Sequence, residues 1–139
     1  MSPGTVELVR TSWSAIMPRR KEVGVSFYRR LFEVHPEVQP LFKGDIDRQT
    51  ALFTTMINTV VSALENPKPV RPLIELLGAR HADYGVSATD YDKFEQVFLD
   101  TLEEALGDKF TADTRAAWRQ VYEGMAATMQ RGAGEGRIR

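Results

Sequence analysis

The sequence predicts an all-α domain of crossed helices around a pocket, and three observations carry that prediction. Apolar residues recur at helical spacing from end to end, and no alternating run is long enough to make a strand. The segments are unequal in length and broken at proline corners, unlike the matched helices and short loops of a four-helix bundle. A chain of 139 residues also has room for one core and not for two.

The elements follow in order. "TVELVRTSWSAIMP" puts Val6, Val9, Trp13 and Ile16 on one face and stops near Pro18. "KEVGVSFYRRLFEV" carries Val23, Phe27 and Leu31 on one stripe, with Gly24, Tyr28 and Phe32 beside it. Pro36 opens the short turn "PEVQPLF". A long helix follows in "DIDRQTALFTTMINTVVSALE", with Phe53, Ile57, Val60 or Val61, and Leu64 on one side. "NPKPVRP" breaks the chain but is too short to join two domains. "LLGARHAD" ends the next helix, and "YGVSATD" supplies a turn and cap residues. Tyr91, Phe94, Phe98 and Leu102 align in the helix that Gly107 closes. The last helix starts at a Thr111 cap and aligns Trp118, Val121 or Tyr122, Met125 and Met129. The domain is expected over residues 1–131, with 132–139 a loose tail. "GAGEG" within that tail lacks the strand and helix that a phosphate loop requires.

Composition narrows the chemistry. Hydrophobic residues make up 42% and charged residues 27%, the balance of a soluble globular chain. A net charge of −1 and the lack of a basic cluster argue against nucleic acid or an anionic membrane as partner. No apolar stretch approaches the roughly 20 residues needed to span a bilayer. The start "MSPGTVELVRTSW" is no secretory signal, so a cytoplasmic protein is expected. The absence of cysteine excludes disulfides, thiol nucleophiles, thiolate metal sites and iron–sulfur clusters.

Of the two histidines, His81 stands out. It shares a helical face with Leu77, Ile74 and Leu73, and Gly78 leaves that face locally flat. The stretch alone leaves two readings open: a buried histidine bonded to a backbone carbonyl, or a metal ligand. With so few side-chain ligands in the chain, a metal on His81 would arrive in a prosthetic group carrying ligands of its own.

The segments "LVRTSW", "FYRRLFEVHPEVQPLF", "LLGARHADYGV" and "AAWRQVYEGMA", in this order and spacing, resemble the bacterial single-domain haemoglobins. Those proteins are similar to the globin domain of flavohaemoglobins, and the resemblance covers essentially the whole chain. It implies a globin fold with the D helix short or absent, and haem b (iron protoporphyrin IX) as cofactor. By the same resemblance His81 is the proximal iron ligand, Phe42 the ring stacked on the haem, Tyr28 the distal phenol and Gln49 the distal amide. A gap in the preceding loop would put Arg48 and Leu52 at the distal positions. The stripe Gln49, Phe53, Ile57 favours the ungapped placement. Tyr91 and Glu135 match the tyrosine and glutamate that brace the ligand imidazole in flavohaemoglobins, although Glu135 lies in the glycine-rich tail. Arg80, Lys43 and Arg48 are candidates to meet the haem propionates, and His35 reads as an exposed turn residue.

An apolar disc of that size needs a lining, and Phe42, Phe53, Ile57, Leu77, Val86 and Phe94 can supply it, though each could equally be plain core. The function expected is reversible binding of dioxygen, and of nitric oxide or carbon monoxide, at a pentacoordinate iron. The alternatives are a nitric oxide dioxygenase, a gas sensor, or a haem-free helical interaction module. No flavin or nicotinamide domain follows in this sequence, so sustained turnover is expected only with a separate flavin reductase. A monomer or a homodimer is expected.

Overall fold

The computed structural model describes residues 1–42 and 44–138, with the side chains described through residue 134. The described residues form helices and connections, with no strand among them. The α-helices are α1 (Pro3–Ile16), α2 (Arg20–Val34), α3 (Ile46–Ser62), α4 (Arg71–Asp83), α5 (Ala88–Leu106) and α6 (Ala112–Ile138). A 3₁₀ corner over Pro36–Leu41 joins α2 to α3, and no further helix stands between that corner and α3 among the described residues.

Capping sets most of the boundaries. Asp45 caps α3 by accepting from the Asp47 amide at 2.9 Å. Ser87 and Asp90 form a capping box at the start of α5. Thr111 opens α6 by accepting from the Thr114 amide at 3.1 Å. Gly107, at φ +57°, closes α5 in a conformation that suits glycine.

The apolar stripes meet in one core. Trp13 of α1, Phe27 and Leu31 of α2, Ile57 of α3, Phe98 and Leu102 of α5 and Trp118 of α6 are all buried. Buried indole groups need acceptors. Trp118 donates to the Ser12 hydroxyl at 2.8 Å, and Trp13 donates to the Asn58 side chain at 3.0 Å.

Two close helix crossings position everything else. Gly24 of α2 lies against the Thr50 and Thr54 side chains of α3, where a Cβ would collide with the Thr50 methyl group. Gly78 of α4 lies against the backbone of Met129 in α6, and Gly132 lies against the backbone of Glu75. Only glycine permits backbones to approach that closely. The second crossing carries α6 past residue 131. The helix runs to Ile138 through the stretch read from sequence as a loose tail, and Gly132 is buried.

Candidate functional site

α4 packs on α6, whereas α3 and α4 make no substantial contact among the described residues. The α4–α6 contact runs along Ile74 and Gly78, both buried. The neighbouring row of α4 stays open: Leu77 and His81 are half-buried, and Leu73 is 50% exposed. The sequence stripe placed Ile74 and Leu73 together with His81 on one face. The structure separates them, because the glycines of α4 and α6 draw the Ile74–Gly78 row inward.

His81 is fixed at both backbone and side chain. Tyr84 caps α4, and Gly85, at φ +95°, turns the chain. The Gly85 amide donates to the Ala82 carbonyl at 3.0 Å, and the Val86 amide donates to the His81 carbonyl at 3.0 Å. That pair of bonds is a Schellman motif, which places buried Val86 beside His81. The His81 Nδ1 donates to the Leu77 carbonyl at 2.6 Å. A carbonyl only accepts, so the proton of the neutral ring sits on Nδ1 and the lone pair on Nε2. Nε2 has no hydrogen-bond partner among the described residues. Metal-ligating histidines are oriented by this kind of bond at their other nitrogen.

The α2–α3 crossing holds a second pair. Tyr28 lies one turn beyond Gly24, and Gln49 directly precedes Thr50. The Gln49 side-chain amide donates to the Tyr28 hydroxyl oxygen at 3.2 Å, so the phenol's own proton is left for another acceptor. Tyr28 is 2% exposed. Burial pushes its pKa up to about 12, against the smaller downward pull of the Gln49 bond, so it stays a neutral donor at physiological pH. Arg48 is exposed and Leu52 is 57% exposed, whereas Gln49 and Phe53 turn inward.

Aromatic rings wall this pair. Tyr28 meets Phe42 edge-on at 5.4 Å and Phe53 at 5.9 Å, and Phe42 meets Phe94 at 6.0 Å. Ile57, one turn after Phe53 on α3, is buried. Two rings that were not among the expected lining residues belong here as well. Phe32 touches both Tyr28 and Phe42, and Phe27 stacks on Phe53 at 4.8 Å. Phe32 lies four residues after Tyr28, a spacing that puts both on one helix face.

Other expected site residues are placed differently. Tyr91 is buried, which raises its phenol pKa, and its hydroxyl donates to the Met129 sulfur at 3.8 Å. The structure does not join it to His81. Arg80 is exposed. Lys43 and the Glu135 side chain lie outside the described residues. His35 bonds to Glu37 at 3.2 Å at the proline corner. A groove of about 550 Å³ between α5 and α6 is rimmed by Asp92, Glu95 and Glu123 and contains neither His81 nor Tyr28.

A family model described as Globin matches residues 25–129, which takes in Tyr28, Gln49, all of α4 and Met129. The chain belongs to the globin family. This globin is 24% identical to a flavohemoprotein of Bacillus subtilis across 85% of the chain, and spans only 30% of that protein's length. It is 26% identical to neuroglobin of Dissostichus mawsoni, covering 91% of this chain and 88% of that protein. An engineered carbene transferase from Rhodothermus marinus superposes with a TM-score of 0.90 at 25% identity, covering 99% of this chain and 96% of its own.

Globins hold haem, and the residues of this one fit it. Among the described residues, no group of three or more His, Cys, Asp or Glu side chains could share a bare metal ion. A metal on His81 therefore needs a group that brings its own ligands, as haem does. No helix among the described residues is long and apolar enough to cross a membrane.

Proposed function

We propose that this globin holds haem b through His81 Nε2 and binds dioxygen reversibly, with Tyr28 and Gln49 as distal hydrogen-bonding residues. One observation carries the reading. His81 is locked by Leu77 into the tautomer that leaves Nε2 unprotonated and unpartnered. When bound, haem would supply an iron able to take up a diatomic gas. The chain supplies the rest. Phe42, Phe53, Ile57, Leu77, Val86 and Phe94 would supply the apolar lining for it, and Arg48 and Arg80, both exposed, would be free to meet its propionates. Tyr28, buried and with its own proton left free by the Gln49 bond, would donate to a partly anionic guest, and burial would strengthen such a bond. Gln49 orients the phenol by donating to its oxygen.

The test is the absorption spectrum of purified protein, reduced and then exposed to air. The expected result is a strong Soret band that shifts on oxygenation. His81→Ala should abolish stable haem uptake or leave haem that added imidazole restores, and His35→Ala should change neither uptake nor spectrum. Wild-type haem content in His81→Ala would remove the central assignment.

A second reading, oxidation of nitric oxide to nitrate with a separate flavin reductase, draws on the same pair of distal donors. The chain alone, oxygenated, is then expected to consume one nitric oxide per haem and stop in the ferric state. Sustained consumption with NAD(P)H alone would refute that, because such electrons need a flavin to carry them.

A further inference from the structure

The proline corner that leads to Phe42 and the turn that fixes His81 both meet α5 near its start. Glu37, in the corner, lies 3.1 Å from the Lys93 ammonium of α5. Lys93 also stands 3.8 Å from Asp90, one turn earlier on the same helix. Asp90 is the carboxylate of the capping box, accepting from the Ser87 amide at 2.9 Å and from the Ser87 hydroxyl at 3.0 Å. Ser87 follows Val86, whose amide is bonded to the His81 carbonyl. A line of polar contacts thus runs from the corner through Glu37, Lys93, Asp90 and Ser87 to the end of α4. Among the described residues, Glu37–Lys93 is the one ion pair between the corner and α5, since His35, the other partner of Glu37, stands at the start of the corner itself. Apolar contacts follow the same line. Phe94, next to Lys93, meets Phe42 at 6.0 Å, and a Cβ on Gly85 would touch the Leu41 side chain.

We propose that Lys93 is a positioning residue of the pocket: held between Glu37 and Asp90, it straps the corner that carries Phe42 to the helix start that anchors the His81 turn, and so fixes the spacing of those two walls. Several charges joined in a network hold a geometry that an isolated surface pair does not. Without the Lys93 charge, the corner keeps its apolar contacts but opens more often, and Phe42 with it. The use of this spacing in holding haem rests on the proposed function, whereas the strap itself does not.

Amide hydrogen exchange of the whole chain tests the strap without haem. It reads the corner at Val38, whose amide donates to the His35 carbonyl at 3.1 Å, the turn at Val86, and the core at Leu102. Lys93→Met keeps the apolar stem and removes the charge. Exchange at Val38 should accelerate about 1.5- to 5-fold, the range that exposed ion pairs contribute, with Val86 and Leu102 unchanged. Lys93→Arg keeps the charge and should restore the wild-type rate. Raising salt from about 0.01 to about 1 M shortens the screening length from roughly 30 to 3 Å, so it should speed Val38 in the wild type and not in Lys93→Met. On the haem-loaded protein, transfer of haem to excess apomyoglobin should accelerate by a similar factor in Lys93→Met and stay at the wild-type rate in Lys93→Arg. An unchanged Val38 rate in Lys93→Met, equal acceleration at Leu102, or unchanged haem transfer overturns the proposal. A wild-type chain that takes up no haem overturns the proposed function, and the exchange rates then decide the strap on their own.

Discussion

Tyr28 is buried, neutral and already accepting a hydrogen bond from Gln49, so its proton is the one strong donor it has left to offer. A hydrogen bond to a charged partner contributes about 1.5–3 kcal/mol, or roughly 10- to 150-fold in a rate set by breaking it. Tyr28→Phe keeps the ring contacts with Phe42 and Phe53 and removes only that donor. Haem uptake should survive, and stopped-flow dissociation of dioxygen should accelerate by about that factor. Carbon monoxide takes less negative charge and should respond much less. Gln49→Leu should act in the same direction but more weakly. An unchanged dioxygen off-rate in Tyr28→Phe would return the residue to the core. Thr50, next along α3, carries the opposite kind of polar atom: its hydroxyl is buried with no hydrogen-bond partner among the described residues. Replacing it with an isosteric apolar residue removes a desolvated group without opening a cavity. Thr50→Val should therefore raise stability by up to about 1 kcal/mol, measured by urea unfolding.

The helices owe their arrangement to places where a side chain is missing. Gly24→Ala puts a methyl group into the Thr50 methyl, and relief requires α2 and α3 to move apart. Overpacking of this kind costs about 1–3 kcal/mol. Thr50→Ala vacates that space, so the double variant Gly24→Ala/Thr50→Ala should recover much of the loss, and additive losses in unfolding midpoints would refute the direct contact. Such crossings also mark where the sequence stopped being legible. Helix identity was readable because Val6, Val9, Trp13 and Ile16, or Tyr91, Phe98 and Leu102, repeat with the helical period and are buried as a set. Which row of α4 faces inward was not, since Leu73, Leu77 and His81 form as good a stripe as Ile74 and Gly78. The decision lies in Gly132 and Met129 of α6, far along the chain. The same contact explains why α6 continues past residue 131: Gly132 admits the Glu75 backbone instead of ending the fold. At the site, the resemblance brought Tyr28 to Gln49, and the structure shows that pair bonded. It did not anticipate Met129 as the Tyr91 acceptor, because a methionine at core spacing carries no sign of the proton it will receive.

Across the whole molecule, three buried tyrosines make stability depend on alkaline pH in one direction. Tyr28 is raised from 10.0 to about 12, chiefly by burial. Tyr122 and Tyr91 are raised by burial as well, Tyr122 further by the neighbouring Glu95 charge. A phenol whose folded pKa exceeds its unfolded value keeps its proton longer when folded. Its contribution is fully present below pH 10 and is lost as pH rises from there through the folded pKa. For Tyr28 the window runs from pH 10.0 to about 12, and the two-unit difference corresponds to roughly 3 kcal/mol. Each tyrosine that ionises only on unfolding lowers stability by up to about 1.4 kcal/mol per pH unit within its window. Urea unfolding at pH 9, 10 and 11 should therefore give a flat stretch followed by a steepening fall, with tyrosinate absorbance appearing together with loss of helix. Tyr28→Phe removes one ionising group, so its fall above pH 10 should be shallower by up to that slope, whatever its stability at neutral pH. If the variant and the wild type lost stability in parallel, Tyr28 would be ionising in the folded protein. It would then stand in water, and not in the dry pocket that its role as a donor requires.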